Sequence, residues 1–127
     1  MDTLTGTWHP LRAELDGELA PKEALDAMRL ILSDDHYRVK FGREVSDQGA
    51  WSATQESTGW QLTLVGKKGV NAGRTLPAIA QLRGDRLRIC FGLNGQRPNE
   101  FTGAANSGCY LVNYRREIGN PSGSAAA

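Results

Sequence analysis

Cysteine and histidine are scarce in this chain, with two of each in 127 residues. Cys90 and Cys109 stand alone, without the close spacing of metal-binding thiols, and His9 and His36 are too few to complete a metal site. The thiols read as small semi-buried side chains. A disulfide would need them on one face of adjacent strands, with Cα atoms about 5.5 Å apart. Charge of one sign is missing too. Fifteen basic and fourteen acidic residues leave a net charge of +1, which supplies no field to attract nucleic acid or an anionic membrane. No apolar run approaches the roughly 20 residues that span a bilayer. No basic stretch followed by an apolar one opens the chain, so a cytoplasmic location is expected. Neither cofactor nor metal is expected.

What is present is alternation. Tyr37, Val39 and Phe41 oppose His36, Arg38 and Lys40; Trp51 and Ala53 oppose Ser52 and Thr54; Trp60, Leu62 and Leu64 oppose Gln61 and Thr63. Leu87, Ile89 and Phe91 oppose Arg86, Arg88 and Cys90, and Tyr110, Val112 and Tyr114 oppose Asn113 and Arg115. One apolar and one wet face per strand is the mark of antiparallel sheet around a single core. Clusters of Gly, Asp, Asn and Ser separate the runs: 33–35, 47–49, 57–59, 66–73 and 83–85 read as turns. Only Pro21 to Met28 reads helical, with Pro in the first turn, Glu23 early, and Ala24, Leu25 and Met28 on one face. The pattern predicts an all-β fold, an antiparallel sandwich or barrel of about eight strands with one short helix over residues 1–118, then a loose tail over 119–127; the motifs below favour the up-and-down barrel.

The order of short motifs resembles a known family. Gly6-Thr7-Trp8 on the first strand, with a basic residue late in the last, is similar to the lipocalin signature. Further along come Glu14-Leu15-Asp16-Gly17, Gly49-Ala50-Trp51 and Leu76-Pro77-Ala78-Ile79. Leu82 to Phe91 (L-R-G-D-R-L-R-I-C-F), Arg97-Pro98-Asn99-Glu100-Phe101 and Arg116-Glu117 complete the series. Together they resemble a family of small bacterial lipocalin-like domains with many paralogues in planctomycetes. Ala80 and Ala50 depart from its usual aromatic and Thr. The resemblance implies a calycin-like barrel in which Trp8 plugs one end and Arg116 (or Arg115) stacks over it as a structural clasp.

Candidate chemistry is thin. Asp34-Asp35, Glu14 with Asp16, and Asp85 fall at turns, where such side chains bond local backbone. No apolar face carries a carboxylate in this reading, so no general acid–base pair forms and the chain is expected not to be an enzyme. The inward aromatics Tyr37, Phe41, Trp51, Trp60, Phe91, Tyr110 and Tyr114 either fill an eight-stranded barrel or line a small pocket. Arg97 and Glu100 sit in a long connection, 92–108, as candidates for a cavity mouth, with Phe101 expected to dock into the barrel end. The resulting expectation is a non-enzymatic binding protein of lipocalin type that holds a small apolar or amphipathic ligand. The alternative is a protein–protein module, of inhibitor or immunity type, that acts through the 66–73 tip and the 92–108 loop.

Overall fold

A computed structural model describes residues 3–117; the tail expected over 119–127 lies outside them. Nine strands and one helix follow in the order β1 (Gly6–Leu15), β2 (Glu18–Leu19), α1 (Lys22–Ala27), β3 (Met28–Leu32), β4 (His36–Phe41), β5 (Glu44–Glu56), β6 (Gly59–Gly69), β7 (Thr75–Arg83), β8 (Arg86–Gly92) and β9 (Cys109–Arg116). From β3 to β9 each strand pairs antiparallel with the next, and β9 returns to β1 over Trp8↔Arg116 to Leu15↔Tyr110. That return closes an eight-stranded up-and-down barrel and leaves no open sheet edge along this seam. The two-residue β2 is an extra strand, hairpinned onto the end of β1.

The alternation read from the sequence is the inside–outside pattern of the wall. Leu30, Leu62, Leu64, Ala78, Ala80, Leu87, Ile89 and Val112 are buried in one cluster along the lumen. The seam between β1 and β3 is short, with only Gly6↔Leu32, Thr7↔Ile31 and Trp8↔Leu30 in register. Beyond it α1 takes over, and Leu25 packs against the core where strand pairing has stopped.

Three sequence assignments change. Residues 66–69, expected as part of a turn, form the end of β6, where Gln48↔Lys68 and Asp47↔Gly69 still pair. Met28 is the first residue of β3, not the end of the helix, and its side chain is buried. The run Met-Arg-Leu-Ile-Leu alternates buried and half-buried positions, and the helix stops at Ala27 without a glycine to mark the boundary. Residues 47–49, expected as a turn, lie inside β5. The pairing slips by one residue beside Ser46, a β-bulge between Val39↔Asp47 and Lys40↔Val45. Gly49 is glycine because a Cβ there would lie 2.0 Å from the Val65 carbonyl oxygen across the strand pair.

Candidate functional site

The two ends of the barrel differ. At the end where β1 begins, Trp8 is wholly buried and donates its indole N–H to the Leu4 carbonyl at 3.0 Å. The Arg116 guanidinium lies 4.3 Å from the Trp8 ring centroid and donates to the Thr5 and Thr3 carbonyls, each at 2.8 Å. Gly6 has φ of 143°, a backbone conformation that favours glycine, and lies against the Arg116 guanidinium, whose Nη1 a Cβ would meet at 2.8 Å. The glycine, the tryptophan and the arginine therefore form one plug. Arg116 makes the clasp; Arg115 points outward and is exposed.

The opposite end holds a cavity of about 250 Å³. Tyr37, Phe41, Phe91, Tyr110 and Tyr114 line it together with Leu64, Leu76 and Leu93. Phe41 and Val70, 43% and 75% exposed, form an apolar lip. Phe91 and Tyr110 stack with ring centroids 5.8 Å apart. Trp51 and Trp60 do not line this space. They face inward nearer the plugged end, where the Trp51 indole donates to the Ser33 carbonyl at 2.8 Å and Trp60 sits opposite Ala80.

One residue in this cavity was missed by the sequence reading. Asp47 is 4% exposed and belongs to the cavity wall, contrary to the expectation that no apolar face carries a carboxylate. Counting back by twos from the inward Trp51 reaches it, but Asp-Gln-Gly reads as a turn and hid the register. Its Oδ1 accepts the Tyr37 hydroxyl at 3.2 Å and its Oδ2 accepts the Asn71 side-chain amide at 2.7 Å. Asn71 comes from the turn after β6, which presses so closely on Gly66 that a Cβ there would lie 1.9 Å from the Asn71 carbonyl oxygen. Burial raises the pKa of all three tyrosines, and for Tyr37 the neighbouring Asp47 charge adds to the rise. They therefore stay neutral hydroxyls at any physiological pH.

Beyond Leu93, which reaches the cavity wall, the 92–108 loop lies over the outer wall and not over the mouth. Arg97 donates to the carbonyls of the facing pair Leu62 and Ala78 at 2.6 and 2.7 Å, and to the Thr63 hydroxyl at 3.1 Å. Neither Arg97 nor Glu100 borders the lumen; both edge a small groove within the loop itself. Phe101, expected in the barrel end, lies under the outward-facing Arg88 guanidinium, 3.9 Å from its ring centroid. The same loop buries the two thiols, which are not bonded to each other. Cys90 donates to the Thr102 carbonyl, and burial pushes its pKa up to about 11.

A wider, open groove of about 550 Å³ runs along the outer wall past Arg12, Arg83, Arg86 and Arg88. Two cross-strand pairs there set like charges opposite each other, Arg83↔Arg86 and Arg86↔Arg115. No family model, no curated protein and no solved structure matches this chain. Among the described residues, no helix is long and apolar enough to cross a membrane.

Proposed function

We propose that this chain is a non-enzymatic carrier or sensor of lipocalin-like type that takes one small, mostly apolar molecule into the open end of its barrel. The observation that carries the reading is the asymmetry of the lumen: one end is plugged by Trp8 and Arg116, while the other keeps a walled, largely apolar cavity under an exposed apolar lip. A few polar groups set in an apolar wall are what small-molecule sites use to orient a ligand. The volume limits the guest. An apolar cavity of about 150 Å³ holds benzene, so 250 Å³ suits one ring with a short chain and excludes long acyl chains or haem. The Gly6–Trp8–Arg116 plug also supports the lipocalin-like resemblance. The test is displacement of a neutral environment-sensitive naphthalene dye by small aromatic compounds. Saturable, competable binding is expected; a dye that finds no saturable site would contradict it.

A second reading, a protein-interaction module, is favoured by the arginine face and not by the loops. Like charges placed directly opposite destabilise a sheet. None of Arg12, Arg83, Arg86, Arg88 and Arg115 is in an ion pair among the described residues. An acidic segment of a partner would relieve the repulsion. Salt-sensitive retention on a polyglutamate surface, lost in an Arg83→Glu/Arg86→Glu variant, is the expected result. Retention that survives the double charge reversal would remove this reading.

A further inference from the structure

Among the described residues, the cavity wall contains one carboxylate and no basic side chain. Asp47 is buried, its two oxygens are satisfied only by the neutral Tyr37 hydroxyl and Asn71 amide, and no ion pair reaches it among the described residues. A carboxylate taken from water is costly to hold without a countercharge. Neutral donors offset only part of that cost, because charge–charge pairing is the stronger partner interaction. The rest of the wall is suited to a cation: Tyr37, Phe91, Tyr110 and Tyr114 contribute aromatic rings to the same space, and ring faces attract ammonium groups when water is excluded. Nothing in this arrangement favours an anionic head such as a fatty-acid carboxylate, which would meet Asp47 as a like charge.

From this placement we infer that the ligand is a small organic cation, an amine or quaternary ammonium on a compact apolar body, with its charged nitrogen directed at Asp47. The inference rests on the binding reading above and narrows it to one chemical class. Asn71 is a positioning residue: it ties the turn after β6 to the carboxylate and so couples the lip of the cavity to the charge inside.

The experiment is a calorimetric titration of the full chain at pH 7 with three compounds of one shape: 2-phenylethylammonium, 2-phenylethanol and phenylacetate. The cation is expected to bind about tenfold or more tightly than the alcohol, with phenylacetate weakest, since a hydrogen bond to a charged group is worth about one to two decades of affinity. Asp47→Asn, nearly isosteric, should remove most of the preference for the cation, read as the ratio of cation to alcohol affinity within each protein. Tyr37→Phe keeps the ring and the carboxylate but removes one of the two neutral donors to Asp47, so it should raise the preference for the cation. It serves if the Asn variant does not fold; a preference that falls in it overturns the inference. Equal affinity for cation and alcohol, or a preference unchanged in Asp47→Asn, overturns the inference and leaves the binding reading standing. Binding of none of the three overturns both.

Discussion

Tyr37 donates its hydroxyl to Asp47 across the β4–β5 pair at 3.2 Å, and both side chains belong to the wall of the open-end cavity. The pair is possible because the pairing slips beside Ser46, which sets Asp47 opposite the inward Val39. A polar couple at this depth is held by neighbours on three elements: Tyr37 from β4, Asp47 from β5 and Asn71 from the turn beyond β6.

The chain has only three tyrosines, and all three line the cavity. Each has its pKa raised by burial, so the folded state favours the protonated phenol. An acid with a raised folded pKa contributes stability that is fully present below its unfolded value, near 10, and is lost as pH climbs above it. Cys90, raised to about 11, adds a loss that begins near pH 9. In an alkaline titration, tyrosinate absorbance should therefore appear only with the loss of native circular dichroism. A tyrosinate signal rising near pH 10 in a still-folded protein would contradict the buried placement.

Arg116 joins the first and last barrel strands by stacking on Trp8 and by two bonds to the N-terminal backbone. Arg116→Met keeps most of the volume and removes the charge. It should lower unfolding free energy in urea by about 2–3 kcal/mol, whereas Arg115→Met on the exposed side should change it by less than about 0.5 kcal/mol.

Arg97 pins the 92–108 loop to β6 and β7, and that loop covers Cys90. Arg97→Ala is expected to cost about 1–3 kcal/mol and to speed native-state thiol labelling by about tenfold, because local opening of the loop becomes easier. The wild-type thiols should label slowly. Unchanged labelling in Arg97→Ala would mean that other contacts seal the loop.

Alternation along the strands marks the antiparallel sheet and the inward faces of the tyrosines and Phe91, whereas the closed barrel and the Gly6–Trp8–Arg116 grouping rest on the order of short motifs that carries the resemblance. Period two gives the face of a residue but not its height along the barrel axis, which depends on strand tilt and register. Trp51 and Trp60 therefore face inward as expected yet stand nearer the plug than the cavity. Asp47 was hidden for a related reason: Asp-Gln-Gly satisfies local turn chemistry, and only the cross-strand register of β5 shows it to be a strand interior. β3 escaped because a five-residue strand follows the helix directly. The outer-wall position of Arg97 and Phe101 is set by contacts distant in sequence, with partners at Leu62, Ala78 and Arg88 that no local pattern announces.

The proposed site places a small cation at the open end, against Asp47. The most direct measurement is an NMR titration of wild-type protein and Asp47→Asn with 2-phenylethylammonium at pH 7, following the tyrosine ring resonances. Saturable shifts are expected at Tyr37, Tyr110 and Tyr114, with little change at Trp8 near the plug, and much weaker binding in the variant. Absence of saturable shifts at the tyrosines, or equal saturation in both proteins, would contradict the claim.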